Sequence, residues 1–251
     1  MASLGYIVIA ADYVGFGVSK GEEHPYLLSK PSAAAVLDLL TAARSWRRAN
    51  QVNDNGQLFL LGYSEGGYVT MAAHRAIQAE QTADLAGLVM SIPGSGPYNV
   101  GATLDELLQR VCAEYPVLGA LISPGLLRHL GPTVRNEVRR ALLRLLIPED
   151  ADVSYQSAFI DNFLADDVAA VERDSSVHDW LPQVPVHLYH GRDDQTVPFG
   201  SSVATVQAMQ ARGASQVSLT ECVTVPSSHS DCVAPYWVFM LQRLGAQARN
   251  L

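Results

Sequence analysis

The chain has 251 residues, and 25 Asp+Glu against 17 Lys+Arg leave a formal charge of −8. With 48% hydrophobic and 17% charged residues it has a globular composition, which excludes wholesale disorder, and its length allows a core that needs neither metal nor disulfide. The acidic balance argues against nucleic-acid or anionic-membrane partners, and no apolar run approaches the roughly 18 residues of a membrane span.

The opening MASLGYIVIAADYVGFG lacks a basic leader and a small-residue cleavage site, so the chain as written reads as cytoplasmic, and as secreted if its N-terminus is shortened. Tyr6–Ala11, apolar and β-branched, predicts a first strand. Ser32–Arg48 predicts a helix with Val36, Leu39, Leu40 and Ala43 on one face. Gln57–Gly62 predicts a second strand and Gly66–Gln78 the helix after it. Leu85–Ser91, Val186–His190 and Val217–Val225 predict three more strands, and Cys232–Gln247 a closing helix. Apolar runs alternating with helices predict an α/β fold with a mostly parallel sheet covered on both faces. From Tyr98 to Trp180 there is no strand signal, only helical patterns broken by Pro116, Pro124, Pro132 and Pro148. The expected organisation is therefore an α/β core, residues 1–97 and 181–251, with residues 98–180 inserted as a helical cap.

The sharpest motif is Gly62-Tyr63-Ser64-Glu65-Gly66, followed by Gly67. It matches G-x-S-x-G directly after a strand and before a helix, the setting of a nucleophile elbow. Small residues at Gly62 and Gly66 are expected to let strand and helix approach closely. Serine needs a positioned base, and around such an elbow the partners follow in the order Ser, Asp or Glu, His. Of the seven histidines, His24 precedes the serine and His74 lies on the next helix; His129 and His178 fall in the insertion, and His187 and His190 in a strand. His229, in Pro226-Ser227-Ser228-His229-Ser230, is the one left beyond a credible acid. The acid belongs after Val186–His190, where Gly191-Arg192-Asp193-Asp194 offers two carboxylates; the pattern G-x-x-D-x-x-V-P selects Asp194. Asp193 then caps the turn or pairs with Arg192.

These segments, together with Ala11-Asp12-Tyr13-Val14-Gly15-Phe16-Gly17, His24-Pro25-Tyr26-Leu27 and Ser228–Asp231, resemble the α/β-hydrolase superfamily, and within it bacterial esterases akin to the secretory-lipase group. The resemblance implies ester hydrolysis through an acyl-serine, with Ser64, Asp194 and His229 as the triad and the Glu65 N–H as one oxyanion donor. It also implies strands before Tyr6 and a loop carrying the second donor, which this sequence lacks. The chain is thus either a shortened frame or a minimal enzyme. In the minimal enzyme Tyr6–Ala11 would pair with Gln57–Leu61, and Tyr13 or the backbone of Val14–Gly17 would supply the missing donor.

The leading expectation is a serine carboxylesterase acting on small to medium esters. The alternatives are a peptidase or amidase with the same triad and a non-catalytic binding protein. No P-loop, G-x-G-x-x-G or H-E-x-x-H is present, and the mechanism needs no cofactor or metal. Glu65 either tunes the pocket toward a cationic group or is a solvated first-turn acid. Leu126–Ile147 combines five arginines with an apolar stripe and reads as a cap helix rather than a lipid-facing one. Cys222 and Cys232 flank His229, either bridged or free, and a strand edge left open makes a homodimer plausible.

Overall fold

The computed structural model describes residues 1–114, 129, 131–147 and 153–251. Four parallel strands form one sheet in the order β1-β2-β3-β4: β1 Leu58–Tyr63, β2 Leu88–Gly94, β3 Val186–His190 and β4 Val217–Glu221. Sequence neighbours pair throughout, so each connection crosses over a face through helical structure. Helix α1 is Ser29–Ala49, with Pro31 in its first turn, where a missing N–H costs nothing. Helix α2 is Glu65–Ala79, α3 Val100–Glu114, α4 Pro132–Leu146, α5 Ala158–Leu164, α6 Phe199–Ala211 and α7 Val233–Gln247. The chain has the α/β-hydrolase architecture, a parallel sheet with flanking helices.

Alternation along the strands divides the core. In β1, Leu58 and Leu60 meet Ala73 and Ile77 of α2, while Phe59, Leu61 and Tyr63 face the other way. On that second face Met90, Ile92 and Tyr189 pack against Tyr236, Phe239 and Met240 of α7. Leu88 and Met90 lie on opposite faces despite their spacing, because the β1–β2 register shifts between Leu58 and Phe59. Val186 and Leu188 of β3 join Met209 of α6 and Tyr68 and Met71 of α2 in the largest cluster.

Between β2 and β3 the described residues form helices. Leu104 and Leu107 of α3, Val138 and Leu142 of α4, and Phe159 and Ile160 of α5 are buried in that same largest cluster. The basic helix starts at Pro132; Leu126 and Arg128, like Pro116, Pro124 and Pro148, lie outside the described residues. Its apolar side packs inward, while Arg139 pairs with Asp161 and Arg140 with Glu137. Cys222 and Cys232 form a disulfide, with Cα atoms 5.9 Å apart, and Cys112 is a free thiol. Among the described residues no helix is long and apolar enough to cross a membrane.

The expected strand Tyr6–Ala11 does not form. Among the described residues β1 pairs with β2 alone, and residues 6–11 enter no ladder. Ile7, Val8 and Ile9 are 46%, 53% and 37% exposed. A cavity of about 1080 Å3 is lined by Tyr6–Ala11 on one side and by Leu58–Leu61, Val36, Leu40 and Val69 on others. A strand needs a neighbour about 4.8 Å away to take its N–H and C=O groups. Here empty space stands in that place, so β-branched composition alone produces no strand. The pairing with Gln57–Leu61 proposed for a minimal enzyme is therefore absent.

Candidate active site

Ser64 lies between the end of β1 and the start of α2, with φ 58° and ψ −123°. That left-handed backbone is costly for a non-glycine residue and is held by its surroundings. Its N–H donates to the Gly94 carbonyl at 2.8 Å, and its own carbonyl accepts from Tyr68 N at 3.1 Å, the first bond of α2. A Cβ on Gly62 would stand 2.2 Å from the Gly66 carbonyl oxygen, and one on Gly67 2.4 Å from that of Gly94. Gly66, by contrast, has open space where a Cβ would project. Gly62 and Gly67 thus permit the close approach, correcting the expectation that placed Gly66 beside Gly62.

His229 sits on the loop between β4 and α7. Its Nε2 is 2.8 Å from Ser64 Oγ and its Nδ1 is 2.6 Å from Asp194 Oδ2. The carboxylate can only accept, so Nδ1–H donates to Asp194 and Nε2 is left to accept from the serine hydroxyl. The structure brings all three residues together from loops at the carboxyl ends of β1, β3 and β4.

Asp194 is 1% exposed and fully engaged. Oδ1 accepts from the Thr196 and Val197 N–H groups at 2.9 and 2.8 Å, and Oδ2 faces His190 Nε2 at 3.2 Å as well as His229. Burial pushes its pKa up, but hydrogen bonds and charge from the two imidazoles outweigh that and bring it down to about 2. His190, assigned to a strand from sequence, ends β3; its Nδ1 meets Ser202 Oγ at 2.7 Å and its Nε2 the Val197 carbonyl at 3.0 Å. A histidine four residues before the acid was the available signal. Asp193 holds the histidine loop, its Oδ2 accepting from Ser227 N at 2.8 Å and Ser227 Oγ at 2.9 Å. Arg192 pairs with Glu221 instead. Tyr63 donates from its hydroxyl to the His229 carbonyl at 2.8 Å and accepts from Ser95 Oγ at 3.0 Å.

Glu65 opens α2, so its N–H is among those with no carbonyl partner within the helix. Its side chain is partly exposed but not free: Oε1 lies 2.5 Å from His24 Nε2. Tyr13 is half-buried and stacks on His24 with ring centroids 6.0 Å apart; burial and the Glu65 charge push its pKa up to about 12. Among the described residues no hydrogen bond joins its hydroxyl to Ser64 or His229. Of the backbone donors in Val14–Gly17, Gly15 N is engaged by Ser19 Oγ and Phe16 N by the Tyr13 carbonyl. The large cavity beside β1 reaches Tyr13, Gly62 and Gly66 but is not lined by Ser64 or His229, so it lies behind the elbow rather than beside the Ser64 hydroxyl. No cluster that could hold a metal ion occurs among the described residues.

The esterase LipA of Xanthomonas oryzae, which degrades rice cell wall, is 27% identical in sequence, and the match covers 94% of this chain and 71% of that one with a TM-score of 0.65. Lipase A of Candida antarctica, at 16% identity and a TM-score of 0.51 over 90% of this chain and 57% of its own, shares the fold. Lipase 5 of Candida albicans is 22% identical over 249 residues, 86% of this chain and 50% of that protein. This chain spans about half the length of the curated relatives it matches. The secretory lipase model matches residues 1–138, more than half of the sequence, and the chain belongs to the secretory lipase family.

Proposed function

We propose that the chain is a serine carboxylesterase that hydrolyses small to medium carboxylic esters through an acyl-serine. The observation that carries this is the unbroken chain of hydrogen bonds Ser64 Oγ, His229 Nε2, His229 Nδ1, Asp194 Oδ2, with steps of 2.8 and 2.6 Å. Ser64 Oγ attacks the ester carbonyl carbon while its proton passes to His229 Nε2. Asp194, held ionised, stabilises the imidazolium and does not take the proton. The oxyanion lies against the Glu65 N–H at the head of α2, with the Tyr13 hydroxyl as the second donor. Collapse breaks the bond to the alcohol, which leaves with the proton from His229. Water then gives a proton to the same nitrogen as it attacks the acyl-serine, and Ser64 regains its hydrogen when the acid departs.

Residues 98–180 act as a cap in this reading. Residues 154–156 dock on His24, which touches Glu65 beside the nucleophile, and this supports an enclosed acyl site of modest size. The Cys222–Cys232 disulfide and membership of a secretory family favour an oxidising, extracellular setting over the cytoplasm. Turnover of p-nitrophenyl acetate and butyrate, with a fluorophosphonate label, tests the mechanism. The expected results are a label on Ser64 in the wild type and loss of at least about 10³-fold in kcat for Ser64→Ala. A Ser64→Ala variant with wild-type turnover, or peptidyl anilides cleaved faster than the esters, would overturn the assignment. Tyr13→Phe is expected to lose about 10²-fold in kcat if Tyr13 is the second donor, and unchanged turnover removes it from that role.

A further inference from the structure

The contact between His24 and Glu65 takes no part in the reaction steps above, yet it adjoins the nucleophile. His24 is 1% exposed. Its Nδ1 is 2.8 Å from the Val14 carbonyl oxygen and its Nε2 is 2.5 Å from Glu65 Oε1. A carbonyl oxygen can only accept, so Nδ1 carries a proton; a carboxylate likewise accepts, so Nε2 carries another. The arrangement is that of an imidazolium clamped between two acceptors. Burial alone would lower the pKa of this ring, but the hydrogen bond and charge of Glu65, with the Val14 carbonyl, outweigh it and hold the value above that of an ordinary histidine.

The other titratable groups facing the ring are phenols. Tyr13 stacks on it, Tyr26 lies 6.1 Å away and Tyr155, from the insertion, meets it edge-on at 5.5 Å. All three have raised pKa values, chiefly through burial, and stay neutral across the working range. Glu22 and Glu23, next to it in sequence, are exposed. The backbone of His24 reaches the insertion as well: its N–H donates to the Ser154 carbonyl at 2.7 Å, and Gln156 N–H donates to its carbonyl at 2.8 Å.

We propose that the His24–Glu65 pair is a positioning device for ester hydrolysis, in which the imidazolium neutralises the carboxylate beside the oxyanion site and fixes insertion residues 154–156 to the nucleophile helix. The proposal rests on Ser64 as nucleophile and the Glu65 N–H as oxyanion donor. Negative charge gathers at that N–H in the tetrahedral intermediate, and a bare carboxylate on the same residue would oppose it. With the imidazolium in contact, the residue presents a neutral pair. Glu65 is thereby occupied and is not a subsite for a cationic substrate group. When His24 loses its proton the repulsion returns, and turnover falls on the alkaline side.

The test compares kcat/KM on p-nitrophenyl butyrate from acid to alkaline pH for wild type, His24→Gln, Glu65→Gln and the double variant. His24→Gln is expected to lose on the order of tenfold, and adding Glu65→Gln to recover most of that loss, because contacting groups are energetically coupled. Glu65→Gln alone is expected to lack the wild-type alkaline limb. A double variant no faster than His24→Gln, or an alkaline limb unchanged in Glu65→Gln, overturns the proposal. If His24→Gln fails to fold, the Glu65→Gln profile and the 15N shifts of His24 in the wild type decide alone: both ring nitrogens protonated at neutral pH is the expected result, and a neutral ring refutes the pair. Fluorophosphonate labelling separates the two readings, since an unlabelled wild type strikes the serine mechanism, whereas a labelled one without coupling strikes only the pair.

Discussion

His190 and Asp194 stand 3.2 Å apart with neither side chain accessible to solvent, so the carboxylate facing His229 is held by a second imidazole from behind. The Oδ2 atom is shared between them, and the orientation of the carboxylate depends on a residue buried behind it. Replacing His190 with Ala leaves a buried carboxylate short of a donor. The expected cost is about 1–3 kcal/mol of stability, with a fall in kcat on the order of tenfold and little change in KM. Denaturant melts and steady-state kinetics on p-nitrophenyl butyrate check both, and an unchanged kcat would show that Asp194 is held without it.

Acid sensitivity follows from the same carboxylate. Its pKa is lowered from 3.8 to about 2 in the folded protein, so its contribution, roughly 2 kcal/mol, is fully present above the unfolded value and drains away as pH falls from about 4 toward 2. Asp194→Asn cannot titrate there. The variant is expected to be less stable than wild type at neutral pH and to lose less on acidification, a difference that thermal melts across the acid range would reveal.

The disulfide closes the loop that carries His229, its two cysteines standing ten positions apart in sequence. Cys222→Ser/Cys232→Ser is expected to lose about 2–3 kcal/mol of stability. Because the base rides on the freed loop, kcat should fall more than KM rises. Reduction of the wild type under mild conditions should reproduce both effects; a reduced enzyme with full kcat would mean that Asp193 and Ser227 hold the loop unaided.

Glycines in the elbow should respond unequally. Gly67→Ala places a methyl 2.4 Å from the Gly94 carbonyl, which only a shift of α2 from β2 can relieve, at a cost of about 2–3 kcal/mol. Gly66→Ala meets open space and gains helix propensity, up to about 1 kcal/mol. Paired denaturant curves would distinguish them, and equal losses at the two positions would contradict the close approach described for Gly67.

How much of this was legible in the sequence depended on what each signal encodes. Val186–His190 matched its strand end to end, since its flanking Pro and Gly bound the run on both sides. Ser64, Asp194 and His229 could be picked out because their order and spacing reflect the path of the chain around one sheet edge. Tyr6–Ala11 misled because apolar β-branched residues show what a segment can pair with, not whether a partner is present. Helix α6 leaves no legible signal, because FGSSVATVQAMQA mixes small and apolar residues around the whole cylinder and has no charged face to set a period. Position excludes His190 and His24 only as the base: one lies in a strand and the other precedes the serine, and neither location says what the ring touches after folding.

One phenol ties two parts of the site together. Tyr63 precedes the serine in the chain, and its hydroxyl grips the main chain of residue 229. The strand end that carries the alcohol and the segment that carries the imidazole are therefore joined by a second tether besides their own hydrogen bond. The spacing between them is thus braced by a linkage that stands outside the Ser64–His229–Asp194 series itself.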